Sequence, residues 1–149
     1  MPLFYRSMRK DADGLPQTGT SSNQLGVRIP PNEYADVVVD QEGCVALNRN
    51  GMSVVSHWRY LKPHQVPTRF MESFYLATGD APTGRDFLSI FRYGSGEFTS
   101  GPISGKLFLD IPRLGTDHGH ITPIHREKVE IYLESLASTR PDWIEEDLQ

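Results

Sequence analysis

The pattern of hydrophobic and polar positions along the chain predicts short strands more often than helices. Apolar or β-branched runs separated by glycine, proline, asparagine and aspartate are typical of β-strands. The run at residues 87–93 has apolar side chains at both alternating sets of positions, which indicates a strand that is covered on both faces. The predicted strands lie at residues 3–6, 52–56, 87–93, 106–110 and 119–122.

Two further apolar runs predict a β-hairpin. Residues 36–40 and 44–47 are mostly β-branched or apolar, and residues 41–43 between them end in glycine. This spacing is typical of two antiparallel strands joined by a tight turn. A second turn, at residues 49–51, leads into the strand at residues 52–56, and a polar loop at residues 11–23 follows the first strand.

One segment has a convincing helical period. It runs from about Arg126 to Ser138, and Pro141 ends it because the residue before a proline leaves the α region. The apolar positions on one face are Val129, Tyr132, Leu133 and Leu136.

Other segments are less regular. Pro63 and Pro67 permit at most one helical turn between them. Residues 71–77 fit a short helix or a strand. The acidic residues 145–147 are most simply interpreted as a solvated end.

Composition narrows the class of protein. The 149 residues are enough for a single domain, residues 1–149, and 38% hydrophobic residues with 13 glycines and 11 prolines indicate a loop-rich folded domain. The net charge of −4 and the lack of any run of lysine and arginine argue against a nucleic-acid-binding patch. The chain has no apolar run of the ~20 residues that cross a membrane and no signal pattern at its start, so we expect a cytoplasmic protein. The single cysteine, Cys44, excludes an internal disulfide and is better interpreted as a buried small hydrophobic residue than as a nucleophile.

Two arginines are candidates for binding an anion. Arg6 follows three apolar residues, so the end of the strand would bring its guanidinium to the rim of the sheet, where a bidentate fork suits a phosphate. The alternative is a salt bridge to Asp36 or Asp40. Arg28 has the same two interpretations.

Ser53 lies just after Gly51 at the start of a predicted strand. Because no Gly-x-Ser-x-Gly elbow surrounds it, Ser53 is a better candidate for binding a ligand than for nucleophilic attack. The alternative is a turn serine that bonds to its own backbone. Trp58, with His57 and Tyr60, is placed to flank a planar ring, although core packing explains Trp58 equally well.

His118 and His120 are two residues apart, so in a strand both imidazoles point to one face. A metal site would need a third ligand, for which the sequence offers Asp117, His125 and His64. A single histidine that donates a hydrogen bond or transfers a proton is the favoured interpretation, so no metal is expected.

Taken in order, these segments resemble the Tse2-like family of ADP-ribosyltransferase-like toxins, which the bacterial type VI secretion system delivers. Members of the family open with a Leu-Tyr-Arg strand, continue through an Asp-Ile-Val hairpin to Gly-Gly-Thr-Ser-Val-Phe, and later present His-Tyr-Thr-Ile-Met-Pro before a C-terminal helix. The corresponding residues here are 4–6, 36–38 with Gly43, 50–55 and 118–123. The resemblance spans nearly the whole chain.

The resemblance implies an α+β fold with mixed or antiparallel, split β-sheets of the ADP-ribosyltransferase kind and a C-terminal helix. It implies a NAD-binding cleft between the sheets and an intracellular toxin with ADP-ribosyltransferase or NAD glycohydrolase activity, neutralised by an immunity protein and secreted without a signal peptide. Arg6, Ser53 and His118 are the implied catalytic residues. The implied NAD contacts are Tyr5, Arg6, Arg28, Met52, Ser53 and Trp58.

The sequence also departs from the family's pattern. Met52 replaces the threonine before the serine, Gly115 replaces a glutamine before the histidine, and Val55 replaces a phenylalanine. The late segment has no Glu-x-Glu pair of the kind used by ADP-ribosylating toxins. Two alternatives therefore stay open: a nucleotide-binding module without catalysis, and a small metal-dependent enzyme built on His118 and His120.

Overall fold

A computed structural model describes residues 2–45 and 50–148 of the chain. It contains two α-helices, α1 (Met71–Thr78) and α2 (Val129–Ser138), within these residues. Single 3₁₀ turns lie at Trp58–Tyr60, Pro63–Gln65, Thr68–Phe70 and Arg140–Asp142. The strands are β1 (Phe4–Met8), β2 (Cys44–Val45), β3 (Met52–Val55), β4 (Ser89–Tyr93), β5 (Gly101–Ser104), β6 (Leu107–Asp110), β7 (His118–Pro123), β8 (Glu127–Lys128) and β9 (Trp143–Glu145).

Seven of these strands form one antiparallel sheet in the order β5-β6-β7-β3-β1-β4-β9. Strand β1 pairs with β4 along its whole length, from Phe4↔Tyr93 to Met8↔Ser89. It pairs with β3 only at Tyr5↔Val55. The sheet therefore consists of two halves that are joined at one residue pair and separate beyond it. The predicted α+β class, the mainly antiparallel pairing and the C-terminal helix are confirmed.

Two apolar clusters cover the two faces of the sheet. Successive residues of a strand point to opposite faces, and neighbours such as Phe4 and Tyr5 accordingly belong to different clusters. The first cluster includes Tyr132 and Leu136 of α2, and the second includes Phe74 of α1. Strand β4 contributes to both clusters, as predicted for a strand covered on both faces.

The predicted hairpin at residues 36–47 is only partly correct. The turn is present, since the Asp40 carboxylate accepts hydrogen bonds from the backbone of Glu42 and Cys44. The first arm is irregular and is joined to the second by one bridge, Val39↔Val45. The regular partner of β2 is β8. Residues 46 and 47 of the second arm, and residue 49 of the next predicted turn, lie outside the described part of the chain.

Helix α2 begins three residues later than the predicted Arg126. Arg126 binds the Asp40 carboxylate at 2.7 Å, and the next two residues pair with β2 as strand β8. This contact between distant segments overrides the helical preference of residues 126–128.

The acidic tail is likewise not a free end. Glu145 lies in β9, which pairs with β4, and it binds Lys10 at 3.0 Å and Arg69 at 3.1 Å. Residues 71–77, which fitted a helix or a strand, form α1, and the two prolines enclose a single turn as predicted. Cys44 is buried and free, in agreement with its interpretation as a small hydrophobic residue. No helix in the described part of the chain is long and apolar enough to cross a membrane.

Candidate functional site

A cavity of about 620 Å³ lies where β1 and β3 separate, and it is called the cleft below. Its floor is formed by β1, β3 and β7, and its walls include residues 61–65 and 85–88. This volume is within the range of pockets that hold small molecules, about 300–1,000 Å³. Open strands and facing loops therefore create a site of the right size for a small ligand.

Arg6 occupies the gap between the two halves of the sheet. Its guanidinium donates hydrogen bonds to the backbone oxygens of Ser53 at 2.8 Å, Gln24 at 2.9 Å and Ser22 at 3.1 Å. Through these hydrogen bonds Arg6 connects the loop at residues 22–26 to β3. The donors that the sequence assigned to a phosphate fork bind backbone carbonyls instead.

The charge of Arg6 is buried without a carboxylate partner among the described residues. Burial lowers the pKa of Arg6 to about 10, and the nearby Asp36 opposes this shift. The guanidinium stays protonated at neutral pH because 10 is still well above 7. The predicted salt bridge from Arg6 to Asp36 or Asp40 does not form, because these carboxylates are bound to Arg28 and Arg126. Arg6 thus places a positive charge at the floor of the cleft.

Arg28 is held in a bidentate pair at the wall of the cleft. Its Nε and Nη2 donate to the Asp36 carboxylate at 3.1 and 2.8 Å, and its backbone N–H donates to the same carboxylate at 2.8 Å. The hydrogen bonds that Arg28 donates to the Asp36 carboxylate raise the pKa of Arg28. Asp36 is the only carboxylate among the described residues that line the cleft, and both of its oxygens are bound to Arg28.

Ser53 lies on β3 with an exposed side chain facing the cleft. Its hydroxyl has no hydrogen-bond partner among residues 2–45 and 50–148, so the turn-serine alternative is not what the structure contains. The site depends on how β3 is held against β7. The Tyr132 hydroxyl donates to the Ile121 oxygen at 2.5 Å and accepts from the Met52 N–H at 3.2 Å. A Cβ at Gly51 would lie 2.5 Å from that Ile121 oxygen, so only glycine fits there.

His118 and His120 both face the cleft from β7. Ser53 pairs with His120 across the ladder, and Val55 pairs with His118. Side chains of directly opposed residues approach to about 5 Å, and diagonal ones to about 7–8 Å. His120 is therefore the nearer histidine to Ser53. Burial lowers the pKa of His120, although Asp110 opposes the shift, so the imidazole is neutral at pH 7.

The structure brings together five of the seven residues that the sequence assigned to the site: Tyr5, Arg6, Arg28, Ser53 and His118. Met52 and Trp58 do not line the cleft. Met52 is buried in the first apolar cluster, because strand alternation turns it to the face opposite Ser53. Trp58 packs edge-on against Phe70, with ring centroids 5.6 Å apart, which is the core-packing alternative.

Sequence reasoning missed several residues of the cleft wall and offered one of them, His64, only as a third metal ligand. His64 and Gln65 lie in the 3₁₀ turn between the two prolines, Lys62 lies just before that turn, and Arg85 and Phe87 come from the loop before β4. The prolines predicted the turn, but no local pattern predicts that the turn lies over the sheet. The sequence offered either His118 or His120 as a single proton-transfer or hydrogen-bonding histidine and named only His118 for the site, whereas the pairing of β3 with β7 places His120 opposite Ser53.

Metal ligation was also considered. Among residues 2–45 and 50–148, no three histidine, cysteine, aspartate or glutamate side chains are grouped in a way that could hold a metal ion. Asp117, one of the candidate third ligands, instead accepts a hydrogen bond from Ser56 at 2.8 Å.

The fold and the site define an α+β protein with a mainly antiparallel sheet that opens into a cationic cleft. Comparison of the chain with protein-family models, with curated proteins and with solved structures found no match.

Proposed function

We propose that the chain binds NAD in the cleft and acts as an intracellular toxin, with ADP-ribosyltransferase or NAD glycohydrolase activity, that an immunity protein neutralises. The observation that carries the proposal is the buried Arg6 charge at the point where the sheet divides, with Ser53 and two histidines beside it. The division of the sheet between β1 and β3 supports the proposal, because the resemblance to the Tse2-like toxins implies split β-sheets with a cleft between them. The order of the sequence motifs supports it as well.

The charge of the cleft favours an anionic ligand. The whole chain has a net charge of −4, yet among the described residues that line the cleft cationic side chains outnumber carboxylates. A cavity lined by one sign of charge attracts the opposite sign, and low-dielectric walls strengthen the field. The pyrophosphate of NAD suits this field. The charged residues that line the cleft are Arg6, Arg28, Lys62, Arg85 and Asp36.

Each site residue has a distinct part in this proposal. Arg6 acts on the pyrophosphate through its charge, because its donors are already bound to backbone oxygens. The free hydroxyl of Ser53 orients the ribose or the amide of the nicotinamide. When the bond between ribose and nicotinamide breaks, the oxygen of an acceptor bonds to the ribose and releases its proton. His120, neutral at pH 7, is available to take that proton, and His118 contacts the ribose or the acceptor.

A NAD-binding module without catalysis is the second candidate. It is favoured by the state of Asp36, the one carboxylate among the described lining residues, which is bound by Arg28. Enzymes that break glycosidic bonds commonly use a carboxylate to stabilise the developing positive charge. Without one, the rate depends on positioning and fixed dipoles alone.

Expression of the chain in bacteria without any partner tests the proposal. We expect growth arrest and a fall in cellular NAD, and release of nicotinamide from NAD by the purified protein. His120→Ala should reduce nicotinamide release by at least about 100-fold, the usual contribution of a proton-transfer group. Ser53→Ala should also reduce it, because the hydroxyl that orients the ribose or the amide is lost. Arg6 is a poor choice for this test, because its substitution would also release the loop at residues 22–26.

The controls are Ser95→Ala and His125→Ala, which change exposed residues outside the cleft. Both should keep the activity of the wild type. Normal growth with normal NAD content would contradict the toxin proposal. Calorimetric binding of NAD without nicotinamide release would support the binding module instead.

A further inference from the structure

We propose that a second cavity, next to the cleft, binds a phosphate group of the acceptor molecule. This cavity has a volume of about 610 Å³ and lies on the other side of the loop before β4. Arg85, Phe87 and Leu88 line both cavities. A group bound in the second cavity would therefore lie next to a ligand in the cleft. The acceptor assignment rests on the proposed function, whereas the anion site does not.

The second cavity is cationic in a chain that is acidic overall. Two of its cations are paired with carboxylates, because Lys10 binds Glu145 at 3.0 Å and Arg69 binds Glu145 at 3.1 Å and Asp147 at 3.7 Å. Among the described residues, Arg9 and Arg85 have no carboxylate partner. The second carboxylate of this cavity, Asp86, accepts a hydrogen bond from the Thr68 hydroxyl at 2.5 Å. The two free guanidinium groups leave a local excess of positive charge.

Arg9 is held in a position that suits anion binding. Its guanidinium carbon lies 4.3 Å from the centre of the Phe87 ring. Stacking on an aromatic ring uses the flat face of a guanidinium, whereas its N–H donors lie in the plane and point outward from the edge. The contact fixes Arg9 without consuming its donors. A guanidinium in this state is ready to bind two oxygens of a phosphate in a fork.

The exposure of Phe87 is a second reason to expect a ligand here. Its side chain is 44% exposed on the ridge between two cavities, although the strand that follows is buried. With Arg9 on one side and Arg85 nearby, the ridge combines an aromatic surface with two cations. That combination is suited to a phosphate attached to a planar group, and a nucleotide phosphate fits it.

The test measures phosphate binding and NAD binding separately. Inorganic phosphate is titrated into the full chain, and the arginine Nε–Hε signals are followed by nuclear magnetic resonance. NAD binding is measured by calorimetry. Arg9→Gln should weaken phosphate binding about tenfold, the effect of one charge-assisted hydrogen bond pair, and should leave NAD affinity within about twofold because Arg9 does not line the cleft. Arg9 is exposed, so we expect the variant to stay folded, and a thermal melt checks this.

Arg113→Gln is the matched control, since Arg113 is an exposed arginine that lines neither cavity. If Arg9→Gln weakens phosphate binding no more than Arg113→Gln, phosphate binds elsewhere and the proposal is overturned. If Arg9-dependent phosphate binding persists in a chain that does not bind NAD, the acceptor assignment is overturned with the proposed function, and the anion site remains.

A second probe distinguishes the source of the phosphate. A short 5′-phosphorylated single-stranded oligonucleotide is compared with inorganic phosphate in the same titration. Tighter, strongly salt-dependent binding of the oligonucleotide supports a nucleic-acid acceptor. Equal binding of the two supports a small phosphorylated molecule. Either result supports the proposal only if Arg9→Gln weakens the binding of the probe.

Discussion

Gly51 illustrates how single residues position this site. It precedes β3, and its importance lies in the close approach of β7, because the Ile121 oxygen and the Tyr132 hydroxyl occupy the space that a side chain would need. Tyr132 in turn joins the two strands through both of its hydrogen bonds. The position of Ser53 in the cleft therefore depends on a residue without a side chain two positions earlier.

Gly51→Ala should destabilise the protein by about 1–3 kcal/mol, the usual cost of forcing extra atoms into a packed region. The added Cβ would lie 2.5 Å from the Ile121 oxygen, and backbone cannot yield easily. Urea unfolding measures the change. Gly101→Ala is the control, because a Cβ there meets nothing within 4 Å. Equal stability of the two variants would contradict the packing around Gly51.

His120 should make stability depend on pH. Burial lowers its pKa from the ordinary value of 6.5, so below pH 6.5 the unfolded chain binds a proton more readily than the folded one. The contribution of His120 to the free energy of unfolding is therefore fully present above pH 6.5. It is lost as the pH falls toward the lower pKa that His120 has in the folded protein. His57 acts in the same direction.

We expect His120→Gln to lose less stability than the wild type between about pH 7.5 and about pH 5. The free energy of unfolding at each pH measures this difference. His125→Gln, a change at an exposed histidine on the loop after β7, is the control. A pH dependence in His120→Gln equal to that of the wild type would show that His120 is not buried in its neutral form.

Arg6 shows how far residue-level prediction extends. The sequence identified Arg6 as unusual but placed it at the end of a strand, at the rim of the sheet, whereas it lies within β1 and is buried. It did not predict the partners, because the backbone oxygens that bind it come from residues 22–26 and from Ser53, which are far away along the chain. Contacts with backbone atoms have no signature in residue types.

At the scale of elements, strands with a clear apolar pattern were predictable, and strands without one were not. Strands β1, β3, β4, β6 and β7 fall within or overlap the predicted runs. Strand β5 contains Gly101 and Pro102, which are unfavourable in strands, and it forms because it lies at an edge of the sheet beside β6. Strand β8 consists of two charged residues and β9 of only three residues, and both form through pairing with distant partners.

Strand β9 should contribute strongly to stability through one residue. Trp143 is buried between Phe4 and Tyr93, with ring centroids 5.4 and 5.3 Å away, and its Nε1–H donates to the Thr139 hydroxyl at 2.9 Å. Trp143→Ala should cost about 3–5 kcal/mol of unfolding free energy. Ile144, the next residue, is 57% exposed, so Ile144→Ala should change stability by no more than about 0.5 kcal/mol.

Chemical denaturation of both variants measures these values. A small effect of Trp143→Ala would mean that β9 is not docked on the sheet and that the acidic residues form a free end, as the sequence alone suggested.

At the scale of the whole molecule, one sheet is shared by two apolar clusters. Phe4 and Tyr5 of β1, and Ile90 and Phe91 of β4, connect the clusters directly because each pair spans both faces. A chain of this size with clusters on a common sheet is expected to unfold in a single cooperative transition. A single unfolding transition would therefore support the prediction of one domain, which was made from the length of the chain.

The two tryptophans report on the two clusters. Trp58 packs against the second cluster and Trp143 lies in the first. In Trp143→Phe only Trp58 fluoresces, and in Trp58→Phe only Trp143 does. In each variant we expect the fluorescence midpoint in urea to coincide with the midpoint by circular dichroism. Separate midpoints in either variant would indicate two units that unfold independently.

The sequence by itself determined the main strands and the C-terminal helix, because alternation and helical period are local properties of the chain. The resemblance supplied the α+β class and named five residues that line the cleft. Tertiary structure alone decided that β1 and β3 separate after one residue pair, that Arg6 fills the gap and that Arg28 binds Asp36. It also decided that His120 lies opposite Ser53. These features depend on register and on contacts between distant segments, which the residue pattern of any one segment does not specify.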